Sequence, residues 1–296
     1  LLTFGYSLVD SLAAVTFQFG WQKKESSVNL ELLHSPYPVG LKVTVFTIFA
    51  AAMMLFLIRR FSLARREEER LSGELAAARG MQSLLVPAAN VATPGFHLES
   101  IYLPASEVGG DFFQVLPGKD GSLLIVVGDV SGKGLKAAMT VSAIVGALRG
   151  CTFCAPAEVL AYLNGILHGQ IGGFVTCTAA LITEDGAMIV ANAGHLAPYK
   201  NGEEMSVPSG IPLGMLAEAS YEETKFELAP ADHLTFVSDG VVEARNAKGE
   251  LLGFERVAAL TNQPAAAIAE AAERWGQEDD ITVVSLALAP AGVAHV

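Results

Sequence analysis

The chain has 296 residues, is 51% hydrophobic and 17% charged, and carries a net charge of −12 from 19 basic and 31 acidic residues. That length fits one or two domains. The acidic excess argues against a broad nucleic-acid-binding surface, and a mean hydropathy of +0.42, concentrated at the front, points to a membrane segment joined to a soluble domain.

Residues 1–21 are apolar-rich but interrupted by Asp10 and Gln18. They read as a further spanning helix, the end of an upstream membrane region or an interfacial helix. Because the first residue is Leu1, the natural N-terminus is expected to lie upstream. Residues 39–58 are apolar or small apart from Lys42 and two threonines, long enough as a helix to cross roughly 30 Å of hydrocarbon. Arg59, Arg60, Arg65 and Arg66 follow at once, so the positive-inside rule places the C-terminal portion in the cytoplasm. Residues 1–60 are thus read as a membrane region and 61–92 as a helical connector. In the connector Leu71, Leu75, Ala78, Gln82 and Leu85 recur at steps of four and three. That stripe fits either a short coiled coil pairing two subunits or an amphipathic helix packed on its own domain. Pro87 and Pro94-Gly95 end it.

From residue 93 to 296 the pattern is one of short strands and helices. Strands are expected at 97–103, 112–116, 122–130, 176–183, 187–192, 234–238 and 281–289, and helices at 134–148, 156–167 and 265–275. Strands in neighbouring runs with clustered helices imply an α+β domain built on antiparallel sheets. Cys151-Thr-Phe-Cys154 has a C-x-x-C spacing, but no second pair or histidine pair completes a zinc site. Reduced thiols, including Cys177, are the expectation.

Asp111, Asp129, Asp239, Asp279 and Asp280 each sit where an apolar strand-like run meets a turn. Carboxylates at strand ends, beside glycines that allow close approach, suit hard divalent cations, and this many suit two. Metal-assisted hydrolysis of a phosphate ester follows as the expected chemistry. A phosphate-binding P-loop is excluded at 128–134: three residues rather than four separate Gly128 from Gly132-Lys133, and Gly134 follows the lysine.

Several motifs, in order, resemble the PPM-type metal-dependent protein phosphatases, in the bacterial branch of SpoIIE-like and RsbU-like enzymes. They are Gln82-Ser-Leu-Leu-Val-Pro87, Pro104-Ala-Ser-Glu-Val-Gly-Gly-Asp111, Gly128-Asp-Val-Ser-Gly-Lys-Gly134, Asn192-Ala-Gly-His195, Pro212-Leu-Gly214, Ser238-Asp-Gly-Val-Val-Glu243 and Asp279-Asp-Ile-Thr282. The resemblance implies an α-β-β-α sandwich of two antiparallel sheets flanked by helices, with two Mn²⁺ or Mg²⁺ ions at one end. Asp129 would bridge them and the Val130 carbonyl would complete one shell, with Asp111, Asp239 and Asp279 supplying further carboxylates. Asp280 fills a position where relatives have Asn or Asp. The implied reaction is in-line attack by a metal-activated water on phosphoserine or phosphothreonine, with no phospho-enzyme.

The chain departs from the eukaryotic relatives at Ser131, where they have a histidine, so the source of the leaving-group proton is open. The phosphate-binding arginine of those relatives has no match near Pro104, and Gln114 stands where many bacterial relatives have Asp. Lys133 is a candidate contact for substrate phosphate or a solvated loop lysine. His195 invites a catalytic or ligand-supporting reading, against the favoured one of a turn histidine bonded to backbone. Glu243 either orients the ligands or faces solvent. The implied setting is the bacterial cytoplasmic membrane, with a phosphorylated regulatory protein as partner, such as a STAS-domain anti-anti-sigma factor, and no nucleic acid. The rival readings are a non-catalytic interaction module of the same fold and a metal-dependent phosphatase of small molecules.

Overall fold

The computed structural model describes residues 39–85, 95–106, 108–151 and 155–288. The expectations for residues 1–21, for Pro87 and Pro94, for Cys154 and for residue 289 lie outside them. The chain divides into two compact units, Leu1–Ser72 and Gly73–Val296.

A single helix, α1 (Val39–Leu85, 47 residues), runs through the described parts of the two expected helical segments. No proline or glycine intervenes between Ile58 and Ser62, and the arginines there are good helix formers, so nothing breaks the ladder. Within α1 the stretch Val43–Arg70 holds a segment long and apolar enough, by length and composition, to cross a membrane, its most apolar 18 residues having mean hydropathy 1.8. Val45, Ile48, Phe49, Met54, Leu55 and Phe61 are exposed on it. The side chains of the Leu71-to-Leu85 stripe lie outside the described residues.

The second unit is built on two antiparallel five-stranded sheets. One has the order β2 (Asp111–Pro117), β3 (Leu123–Val130), β4 (Val175–Ile182), β5 (Ala187–Ala193), β8 (Glu223–Glu227). The other has the order β1 (Phe96–Leu103), β10 (Ile281–Leu288), β9 (His233–Val237), β6 (Tyr199–Lys200), β7 (Glu203–Glu204). Helices α2 (Leu135–Gly150) and α3 (Pro156–Leu167) cover the first sheet. Helices α4 (Asp239–Val242), α5 (Gly253–Leu260) and α6 (Ala265–Gly276) join the core on the second.

Sequence accounts for these layers. In α2, Ala137, Val141, Ile144, Val145 and Leu148 recur at helical spacing and are buried, while α3 opens with Pro156 at its first turn and buries Val159, Leu160, Leu163 and Leu167. Strand β3, central in its sheet, is apolar on both faces because both are covered. Its alternation assigns Leu124, Val126 and Val130 to the helix side and Leu123, Ile125 and Val127 to the space between the sheets. Phe113, Ile182, Val190, Phe236 and Val284 fill that same inter-sheet layer. Each such fully buried aliphatic or aromatic side chain contributes about 1.5–3 kcal/mol.

Carried along the strands, the same alternation locates the cleft. Asp111 shares a face with Phe113, Asp129 with Val127, Thr176 with Ala180, Ser238 with Phe236, and Asp280 and Thr282 with Val284. The inter-sheet layer is therefore apolar over most of its length and turns polar at one end, where β2 and β10 begin and β3 and β9 finish.

Candidate metal centre

Asp111 and Asp129 are cross-strand partners at the open ends of β2 and β3. Asp239 opens the single turn of α4, just after β9. Together they offer carboxylate oxygens that all lie within 4.8 Å of one another. Two sheets thus contribute to one acidic cluster. Like charges this close resist ionisation without a cation. Burial first, then the charges of Asp239 and Asp279, push Asp129 up to about 7, and burial and Asp279 raise Asp239 as well. Burial also drives Asp111 well above the ordinary carboxylate range, against a hydrogen bond donated by Thr282 Oγ1 to its Oδ2 at 2.6 Å.

The cluster suits a hard divalent ion: its donors are all oxygens, they converge from three elements, and their mutual repulsion is what a cation would relieve. The backbone is shaped for it. A side chain at Gly110 would meet Asp129 Oδ1 and the Val130 carbonyl oxygen, each at 2.7 Å, so the glycine leaves both oxygens unobstructed. The Val130 carbonyl and Asp129 Oδ1 thus both face the space beside Gly110.

The other two acids have different partners. Asp279 is half-exposed and its Oδ2 lies 3.1 Å from Lys133 Nζ, an ion pair that raises the lysine's pKa. Asp280 is buried and its carboxylate accepts from backbone: Oδ1 from Ala105 N–H (2.9 Å), Oδ2 from Gly110 N–H (2.7 Å) and from Asp111 N–H (3.4 Å). It fastens the Gly109-Gly110 turn to β10, which sets where Asp111 points.

His195 lies in a buried turn. Its backbone N–H donates to Asn192 Oδ1 and its carbonyl accepts from Asn192 Nδ2, each at 2.8 Å, while Nδ1 lies 3.0 Å from Thr176 Oγ1. Burial pushes its imidazole down to about 4. Its ring meets a side-chain hydroxyl rather than the backbone expected from sequence, one strand away from Asp129 through Thr176. Glu243 is exposed at the end of α4, where its charge adds to the field that raises Asp239. Gln114 faces α2 rather than the cleft, and its Oε1 accepts from Arg149 Nε at 3.3 Å. Ser131 braces the loop after β3, its Oγ accepting from Phe174 N–H at 2.8 Å.

Three polar side chains at the cleft escaped the sequence reading. Thr282 holds Asp111, and Ser238 Oγ donates to the Asp280 carbonyl and accepts from Thr282 N–H. The Tyr102 hydroxyl is buried without a hydrogen-bond partner among the described residues, and burial together with the charges of Asp280, Asp111 and Asp129 pushes its pKa upward. The period-two alternation could have found all three, since each shares a face with an inward apolar residue on its own strand.

The family model for stage II sporulation protein E (SpoIIE) matches residues 119–288, which takes in Asp129, Asp239, Asp279 and Asp280 and begins after Asp111. Phosphoserine phosphatase RsbU of Bacillus subtilis (strain 168) is 25% identical over 242 residues, covering 76% of this chain and 71% of that protein. The SiaA PP2C domain of Pseudomonas aeruginosa is similar in structure, with a TM-score of 0.64 at 22% identity over 75% of this chain and 98% of that one. The RsbU and RsbW domains of Rv1364c from Mycobacterium tuberculosis give a TM-score of 0.57 at 24% identity, over 69% of this chain and 63% of that one.

Proposed function

The chain belongs to the SpoIIE family, and from that premise we propose that it is a metal-dependent protein serine/threonine phosphatase working at the Asp111–Asp129–Asp239 cluster. The observation that carries this reading is the convergence of those three carboxylates, from both sheets, within 4.8 Å. Asp111, Asp129 and Asp239 would hold the cations. The Val130 carbonyl would add a neutral oxygen, and Asp279 would add its carboxylate once released from Lys133. An all-oxygen donor set favours Mn²⁺ or Mg²⁺. Two such ions, when bound, acidify a water and neutralise phosphate oxygens.

The chain's own residues do the rest. Asp280 and Thr282 fix Asp111, and the bare Gly110 backbone keeps the cleft open. Lys133, on the loop that follows Asp129, would meet a phosphate oxygen on leaving Asp279. No cysteine or histidine nucleophile is required, since Cys177 is buried with its thiol pushed up by desolvation, and His195 is buried and neutral.

The substrate proposed is a phosphoserine protein of a sigma-factor regulatory pathway, such as a STAS-domain anti-anti-sigma factor. The likeness to RsbU and to the RsbU–RsbW pair supports it. The Val43–Arg70 stretch of α1 would anchor the chain in the cytoplasmic membrane, with the sandwich in the cytoplasm, and the stripe at its C-terminal end would pair two such chains.

The test is release of phosphate from a phosphoserine protein by the chain in detergent, with and without Mn²⁺. Asp239→Asn is expected to remove most turnover, at least about 100-fold as for loss of an electrostatic catalytic group, while leaving the circular dichroism unchanged. Near-normal turnover in that variant would refute the cluster as the catalytic centre.

A further inference from the structure

A second feature adjoins the acidic cluster. The loop after Asp129 runs through Val130, Ser131 and Lys133 into the first turn of α2, and it walls a recess whose other side is formed by Lys136, Gly172, Gly173 and Phe174. On the phosphatase reading, on which this inference rests, we propose that the recess is the docking subsite for acidic residues flanking the phosphoserine of the protein substrate.

Position is the first argument. Val130 and Ser131 line the recess and immediately follow a ligand of the metal cluster, so a peptide delivering phosphate to Asp129 has the recess along its path. Ser131 N–H donates to the Phe174 carbonyl at 3.0 Å and Ser131 Oγ accepts from Phe174 N–H at 2.8 Å, so the two walls are held in register with the cluster.

Charge is the second. In a chain of net charge −12, two lysines stand together here, beside a cleft whose own acids would repel an acidic partner. Lys133 is paired with Asp279, whereas Lys136 is exposed and has no ion pair among the described residues. Its ammonium is the charge left over for a partner.

Shape is the third. A side chain on Gly172 would meet Lys136 Nζ at 2.6 Å, and one on Gly173 would meet Ser131 Oγ. One wall is therefore bare backbone, over which the Lys136 ammonium lies at the mouth of the recess. The Phe174 ring, 40% exposed at the edge, gives such a peptide an apolar contact. A free phosphate ion would need neither the bare wall nor the ring.

The experiment compares kcat/KM of the chain in detergent, with Mn²⁺, on three substrates. These are a phosphoserine peptide with flanking glutamates, the same peptide with flanking lysines, and p-nitrophenyl phosphate. The glutamate peptide is expected to be preferred over the lysine peptide by up to about fivefold, since one exposed ion pair reaches about that ratio. Lys136→Glu should erase or invert the preference. Gly172→Ala, whose methyl displaces the Lys136 ammonium without changing the charge count, should diminish it. Both variants should change p-nitrophenyl phosphate hydrolysis far less, because that substrate has no flanking residues. A wild-type ratio near one, a ratio untouched by Lys136→Glu, or a loss of equal size on all three substrates would overturn the subsite while leaving the phosphatase reading standing. No turnover of any of the three would instead overturn the phosphatase reading, and this inference with it.

Discussion

Of the five acidic side chains singled out by sequence, three present their oxygens to one another while Asp279 and Asp280 are matched to donors. The difference decides what each would do on mutation. The Lys133–Asp279 pair places an ammonium against a carboxylate that a cation would also claim, so the lysine competes with metal. Because both partners are about half exposed or more, solvent limits the effect to that of a surface pair, up to about 1 kcal/mol or fivefold in affinity. Lys133→Ala is therefore expected to tighten Mn²⁺ binding by a few-fold in a calorimetric titration, and to raise KM for phosphoprotein if the freed lysine meets phosphate. An unaltered Mn²⁺ affinity would show that the pair does not guard the site. Asp280 is the opposite case. Its buried carboxylate satisfies three backbone N–H groups, and hydrogen bonds to a charged group are worth about 1.5–3 kcal/mol each before compensation. Asp280→Ala should cost about 2–4 kcal/mol in urea unfolding of the metal-free chain. Asp239→Asn, which relieves repulsion, should cost little or nothing in the same assay. Equal stability of the two variants would mean that Asp280 is a metal ligand first and a brace second.

Among the elements, those with a long apolar period were legible and those without were not. Strands β3, β4 and β10 announce themselves by runs such as Leu123 to Val127, and α3 by its first-turn proline and buried leucines. Strand β8, Glu223–Glu227, was missed because it is an edge strand with Phe226 its only large apolar side chain, and the charged residues around it read as loop. Helix α5 was missed because one buried residue, Val257, is too little to show a period over eight positions. The carboxylates of the cluster were legible as acids at strand ends. The pairing of Asp111 with Asp129 and the Lys133–Asp279 contact were not, since each depends on how segments distant in sequence come together. The continuity of α1 was also hidden, because hydropathy changes at Ile58 while helical propensity does not. That helix carries its own prediction. With residues 43–58 of α1 apolar and their large side chains exposed, the chain is expected to sediment with membranes, to resist extraction by alkaline carbonate and to dissolve in detergent. Release by carbonate would assign the helix to a protein partner instead.

At the scale of the whole catalytic unit, the acidic cluster is a joint between two sheets. Asp111 and Asp129 belong to one, while Asp239 and Asp280 flank the ends of β9 and β10 in the other, so the charge that builds up there pushes the layers apart unless it is neutralised. The sign of the pH response follows. Asp129 titrates near 7 in the fold against 3.8 for an ordinary aspartate, so across that interval the folded chain holds a proton that the unfolded chain has released. Its contribution to stability is complete below about 4 and is lost as pH climbs through about 7, and the raised Asp111 and Asp239 act in the same direction. His195, held down to about 4, works against them as pH falls below its ordinary 6.5, but equally with and without metal. Metal requires the ionised carboxylates, so its affinity, and the stabilisation RT ln(1 + [metal]/Kd) that it brings, must grow as these protons leave. The rise in melting temperature on adding Mn²⁺ is therefore expected to be small at pH 5.5 and several degrees larger at pH 7.5, a shift of about 4 °C or less corresponding to 1 kcal/mol in a domain of this size. Replacing Asp129 by Asn should flatten that dependence, because the group whose proton metal displaces is gone. A Mn²⁺ shift of equal size at both pH values would mean that the metal binds elsewhere and that the two sheets are not joined through their carboxylates.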